Sequence, residues 1–485
     1  MNTGKTKLEK QVTAWVNKSQ SSWLVGGKIP REWLYKFIAW IVLTVLSIIL
    51  VNSRDQFGMT YESITSIVIL FHAVFLWVSN LLPHGVTGLL IMVAVPMLNI
   101  LPANQTLAAF GNQAVFFLIG VFLMVAAVID SGLAKRFSLL MLKGNSKSIG
   151  IVYVKIFIGC LVMSWLMPEH AVAAIFFPVV LEISKLLGET GETRPMSMLL
   201  FVGMAWGAVV GGIGTLLGGA RAAIAIEFMK DITHQAVSFW DYAAIGVPIS
   251  IVLGFAVLFT FPLLIKGLNL KSPVDELSIQ SLSNKLGKIS FRETRVLIIF
   301  ISIILLWMFG GSWISLSTAG MLGAVLMFLF RCISWNEADK IVNWNVILMY
   351  GGAIVLGYVL NHSYAGKIMI GFLPDSLLNN EIMLVLIFSV ITITLTEFMS
   401  NAAALTIIFP IVLSAALDHH LNTMIIFYSI TLISGLAFVF PMSSPPNAIA
   451  FSSGTYSIGN IFGKGLIISL IALIIVLSYL FILFG

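Results

Sequence analysis

The chain has 485 residues, 59% of them hydrophobic and only 10% charged, with a net charge of +6. Soluble domains carry about 25% charged residues, so this composition excludes a water-soluble enzyme or binding module and defines an integral membrane protein. The basic residues are spread through loops, which excludes a nucleic-acid surface.

Residues 1–33 are polar and basic with no cleavage site. They read as a cytoplasmic amphipathic leader, with Trp15, Trp23 and Trp33 among lysines at the membrane surface, or else as a disordered tail. A span needs ~20 apolar residues. Eleven spans are expected near 34–52, 62–82, 86–103, 112–133, 196–229, 240–265, 294–310, 316–333, 343–361, 423–456 and 464–484. Two further apolar stretches, 149–183 and 382–417, read as re-entrant helical hairpins. Residues 267–293 form the one long polar loop, separating 62–266 from 294–485. Each half then holds five spans, so the halves lie in opposite orientations as inverted repeats. The expected fold is an all-α polytopic membrane protein without strands.

Lys and Arg set the orientation. The N-terminal segment, 133–149, 182–197, 266–295, 331–340 and Lys464 fall on one side, against Arg54, Lys230 and Lys367 on the other. The positive-inside rule puts the N-terminus in the cytoplasm and the C-terminus outside the cell membrane. Cys160 and Cys332 read as small buried hydrophobes, and no Cys/His spacing indicates a metal or haem.

The two halves mirror each other at an offset of 232 residues. Met167-Pro168-Glu169-His170, running on to Phe177-Pro178, matches Met399-Ser400-Asn401-Ala402, running on to Phe409-Pro410. Gly120 pairs with Gly352, Ser131 with Ser363 and Lys135 with Lys367. After each hairpin comes an interrupted span. The first interruption, Gly211 to Arg221, has five glycines in its first nine residues, each weakening a helix by ~1 kcal/mol. The second, Pro441-Met442-Ser443-Ser444-Pro445-Pro446-Asn447, has three prolines that remove amide donors. Unwound backbone at mid-membrane is tolerated only inside protein or beside a wet cavity, where its carbonyls can bind cations and its amides anions. Matched, broken, polar segments point to the binding site of a secondary transporter.

These elements resemble the divalent anion:sodium symporter family of dicarboxylate and citrate carriers, over residues 34–485. Ser400-Asn401-Ala402 is similar to the family's Ser-Asn-Thr hairpin tip without its threonine, and Ser443-Ser444-Pro445-Pro446-Asn447 to its Gly-Thr-Pro-Pro-Asn turn. The first half departs: Pro168-Glu169-His170 and Gly218-Gly219-Ala220-Arg221-Ala222 stand where the first tip and turn belong. The resemblance implies an elevator-type homodimer in the lipid bilayer. Its scaffold would be 34–111 and 294–342. Its transport module would be 112–266, with hairpin 149–183 and broken helix 196–229, and 343–485, with hairpin 382–417 and broken helix 423–456. It implies substrate contacts from His170, Gly219, Arg221, Ser400, Asn401, Ala402, Ser444 and Pro445. A residual Na+ site would involve Thr396, Met399, Asn401 and Ser443; no other cofactor is implied.

Arg221 offers a fixed charge to a carboxylate, with His170 as a second charge or a neutral donor. An empty carrier with a buried unpaired cation crosses poorly, whereas one loaded with a dianion crosses readily. The expected activity is therefore sodium-independent exchange of C4/C5 dicarboxylates such as succinate, malate, fumarate and 2-oxoglutarate. The alternative is a sodium- or proton-coupled dicarboxylate or citrate symporter, and an anion channel is a remoter one. An enzyme is not expected, since no nucleophile, metal or cofactor motif accompanies Glu169-His170. Glu169 reads as a gate competing with substrate for Arg221; a static ion pair and a proton carrier are the other readings. Glu397 has either a structural hydrogen bond or a coupling role. Glu227 and His234 read as interfacial, Asp418, His419 and His420 as solvated, and Lys135 and Lys367 as snorkelling.

Overall fold

The computed structural model describes residues 31–141, 147–187, 193–272, 288–310, 313–370, 374, 380–440 and 443–484. The leader before Arg31, most of the 267–293 loop, and Pro441 and Met442 lie outside the described residues. The described chain is helical, with no strand among its residues.

After an outlying helix α1 (Arg31–Asn52), the first half runs α2 (Tyr61–Ser79), α3 (His84–Met97), α4 (Ala103–Phe110), α5 (Gln113–Asp130), α6 (Leu133–Met141), α7 (Ile149–Ser164), α8 (Glu169–Leu187), α9 (Arg194–Gly212), α10 (Arg221–Thr233) and α11 (Phe239–Leu263). The second half runs α12 (Phe291–Phe309), α13 (Leu316–Leu329), α14 (Trp335–Ile341), α15 (Trp344–His362), α16 (Ala365–Ile370), α17 (Glu381–Phe398), α18 (Asn401–Asp418), α19 (Thr423–Ile433), α20 (Pro445–Phe451) and α21 (Ile458–Phe484). The order repeats with every helix of the first half matched ten places on.

Local sequence sets several boundaries. Asn112 caps α5, and Ser238 with Asp241 and Ser290 with Glu293 form capping boxes at α11 and α12, satisfying amides that the first turn leaves free. Both hairpins and both interrupted spans lie where expected: α7–α8, α17–α18, α9–α10 and α19–α20. Among the described residues nine helices are individually long and apolar enough to cross a membrane, or ten if α14 and α15, bent by 67°, count as one. The difference from eleven has a physical reason. The interrupted spans are split, α3 and α13 are short, and hairpin legs α8, α17 and α18 reach spanning length themselves.

Two contacts across the halves make the symmetry visible. Helices α3 and α15 cross with Gly88 against Gly352, and α5 and α13 cross with Gly120 against Gly320. The second crossing is the first with the repeats exchanged, since 88 and 120 become 320 and 352 at the 232 offset. A Cβ at Gly120 would overlap the Gly320 carbonyl, and one at Gly352 would overlap Gly88, so only glycine allows these backbones to meet. Helices α5 and α15, grouped with the hairpins from sequence, pack principally on α13 and α3. Helix α6 occupies part of the expected 133–149 loop, where an amphipathic run carries Lys135 and Arg136.

Candidate functional site

The hairpin tips meet at mid-chain depth beside the two helix breaks. At the first tip α7 ends at Ser164, and Pro168 precedes the start of α8 at Glu169. The Glu169 amide donates to the Gly218 carbonyl at 2.9 Å, which fastens this tip to the first break. At the second tip Ser400 caps α18, its Oγ accepting from the Ala403 amide at 3.3 Å. Thr396 Oγ1 lies 2.7 Å from both Asn401 Oδ1 and the Ser434 carbonyl, which fastens the second tip to the second break.

Glu169 and Arg221 are 5% and 2% exposed. Arg221 Nη1 lies 3.4 Å from Glu169 Oε2, and Asn401 Nδ2 lies 3.4 Å from Glu169 Oε1. The carboxylate therefore bridges a cation from its own half and an amide from the other. Glycines make the room: a Cβ at Gly212 would strike Glu169 Oε2, one at Gly219 the Arg221 Nη1, and one at Gly435 the guanidinium itself. Arg221 Nε and Nη2 are buried with no hydrogen-bond partner among the described residues, as is Ser444 Oγ. Buried donors are normally satisfied, so these two unsatisfied donors set the guanidinium apart.

The remaining expected contacts divide. Gly219, Arg221, Asn401 and Glu169 are brought together. Ala402 is buried in the first turn of α18, and Pro445 opens α20 on an exposed face. Ser400 Oγ points to Met349 Sδ at 3.4 Å. His170 sits edge-on to Phe122 of α5, 5.7 Å between ring centres, and is not paired with the guanidinium. Thr396, Asn401 and the Ser434 carbonyl form an oxygen cluster whose hard donors suit a small cation. Met399 is buried beside it, and Ser443 Oγ accepts from Asn447 Nδ2 at 3.2 Å.

Glu397 takes a structural place. Its carboxylate accepts the amides of Phe438, Val439 and Phe440 at 2.7–3.1 Å, holding the unwound segment after α19. Glu227 accepts from Asn112 at 3.0 Å, away from the pair. Sequence reasoning missed Gly212, Gly435 and Ser434. The first two matter for the side chain they lack and the third for its carbonyl, and neither leaves a signature in a single chain.

Two inverted repeats meeting through paired hairpin tips and broken helices, around a buried charge pair, define a multi-pass secondary transporter. A family model described as the sodium:sulfate symporter transmembrane region matches residues 31–483. The chain belongs to that family, the divalent anion:sodium symporters. It is 26% identical over 433 residues to a sodium-dependent dicarboxylate transporter of Staphylococcus saprophyticus, covering 82% of each chain. It is 25% identical over 469 residues to the Staphylococcus aureus protein of the same name, covering 90% of this chain and 88% of that one. Among solved structures it is similar in fold to MtrF of Neisseria gonorrhoeae, with TM-score 0.53 and 12% identity over 78% of this chain and 82% of that one. It is also similar to the YdaH transporter of Alcanivorax borkumensis, with TM-score 0.52 and 13% identity over 78% and 86%.

Proposed function

We propose that this chain carries C4/C5 dicarboxylates across the cell membrane in symport with a cation. The observation that carries this reading is the Arg221 guanidinium, buried, held by Glu169 through one nitrogen and offering Nε and Nη2. A carboxylate accepts two such donors side by side. The names of the staphylococcal relatives support the substrate class and sodium coupling.

Charge decides between symport and exchange. Exchange was expected because an unpaired buried cation would stall the empty carrier. Glu169 pairs with Arg221, so that obstacle is removed. A dianion joining a pair already neutral brings two negative charges into low dielectric, which is costly without compensation. Compensating cations then travel with it. The Thr396–Asn401–Ser434 cluster offers a place for one, and a proton on Glu169 is the second. Substrate displaces Glu169 from Arg221, so the acid works as a gate.

The same reading places the N-terminus in the cytoplasm and the C-terminus outside. It makes α3, α5, α13 and α15 a fixed frame within a homodimer. The hairpins and broken helices move against that frame as an elevator.

The test is uptake of labelled succinate into proteoliposomes, empty or preloaded with succinate, with and without a sodium gradient. Gradient-driven uptake into empty vesicles is expected. Uptake only into preloaded vesicles overturns symport for exchange, and conductance without counter-substrate overturns both for a channel.

A further inference from the structure

A second basic cavity is lined by neither Glu169 nor Arg221. The start of α9, the end of α11 and the start of α21 enclose a cavity of about 540 Å³. Arg194, Lys266 and Lys464 line it, with Thr455, Ser457 and Asn460, and no acidic side chain lines it among the described residues. Two of the three cations are tied to backbone carbonyls. Arg194 Nε donates to the Thr455 carbonyl at 3.1 Å, and Lys464 Nζ donates to the Asn460 carbonyl. Three like charges lining one cavity with no acidic side chain beside them among the described residues repel one another, so the arrangement gains from a bound anion.

The cavity also has an apolar exit. Helices α11 and α21 pack together below it. They leave Phe259 and Leu263 exposed in the last turns of α11, and Phe462 and Leu466 exposed in the first turns of α21, the helix ends that carry the cavity. A soluble anion has no use for that surface, whereas acyl chains do. The geometry points to a site for the phosphate headgroup of an anionic phospholipid, with its chains along α11 and α21. Anionic lipids are concentrated in the cytoplasmic leaflet, and basic pockets between helices on that side bind such headgroups. The positive-inside rule, which counts these cations with the rest, puts all three segments on the cytoplasmic side. The lipid would bridge α9 of the first half and α21 of the second, and so would tie the two halves together.

Native mass spectrometry of the purified full-length protein, titrated with phosphatidylglycerol or phosphatidylcholine, tests this. Wild type is expected to retain phosphatidylglycerol about tenfold better, the scale of a few basic contacts to an anionic headgroup. Lys266→Gln/Lys464→Gln loses that preference, Lys266→Arg/Lys464→Arg keeps it, and Arg54→Gln, on the far side, leaves it unchanged. Arg194→Gln, a single exposed change, should weaken the preference even if the double glutamine variant fails to fold. Equal retention in Arg194→Gln and wild type overturns the proposal. So does displacement of phosphatidylglycerol by inorganic phosphate, which marks a soluble-anion site.

Discussion

Glu169 and Asn401 stand 232 positions apart in the chain and 3.4 Å apart in space. They occupy the same place in the two repeats, so each faces its own counterpart across the internal symmetry axis. Symmetry brings the positions together, and the difference between carboxylate and amide makes the site polar in one sense only. Glu169 serves the cation Arg221, and Asn401 Oδ1 serves the Thr396 hydroxyl, which also reaches the Ser434 carbonyl.

Removing one member of the buried pair should cost more than removing both. Arg221→Ala leaves an uncompensated carboxylate, a loss of about 3–5 kcal/mol. Glu169→Gln/Arg221→Ala should regain most of it. Thermal unfolding in detergent measures both, and neither protein should transport succinate. Stability equal to wild type in Arg221→Ala would show the pair to be energetically idle.

Asn401→Ala should weaken substrate binding about tenfold, the scale of one buried hydrogen bond to a charged group. It should also shift the sodium dependence of uptake, because Asn401 Oδ1 belongs to the oxygen cluster. An unchanged KM for both succinate and sodium would remove Asn401 from the site.

Gly435→Ala places a methyl group where the Arg221 guanidinium lies. Transport should fall steeply although no charge or hydrogen-bonding group is lost. Normal uptake would mean that Arg221 has another place to go.

Glu397→Ala should destabilise the fold by about 2–4 kcal/mol, since three buried amides lose their acceptor. Glu397→Gln, which keeps an acceptor oxygen, should cost less. The comparison is read from denaturation midpoints.

These residues also mark how far a single chain can be read. Glycine and proline act locally, so both helix breaks and both hairpins are legible from composition. The offset of 232 exposes the duplication. Glu397 is not legible, because its partners lie 41–43 residues downstream on backbone that has left the helix. The packing of α5 on α13 and of α15 on α3 is likewise hidden. Their neighbours come from the opposite half, and nothing in an apolar helix names the helix it will touch. The exchange reading rested on an unpaired cation: Glu169 was identified as a partner of Arg221, but only geometry shows the two 3.4 Å apart.

Away from the membrane interior, Glu293 precedes the apolar run of α12 and takes Arg136 Nε at 2.7 Å. That hydrogen bond holds its carboxyl down at about 2, below the ordinary value. A depressed acid contributes stability above its unfolded pKa of about 4.3, and that contribution is lost as pH falls toward 2. Unfolding temperature should be flat in this respect above pH 5 and decline below it. In Arg136→Ala the decline should be shallower.

The crossing of Gly88 with Gly352, and of Gly120 with Gly320, has a consequence for how such a chain can exist at all. Helices α3 and α5 pack principally on α15 and α13 of the other half, so neither half by itself covers these helices. A lone half would be an unpaired glove, able to close only on a second copy inserted upside down. The present chain carries both hands on one thread. Cut between α11 and α12, its two fragments, made together in one membrane, should still find each other.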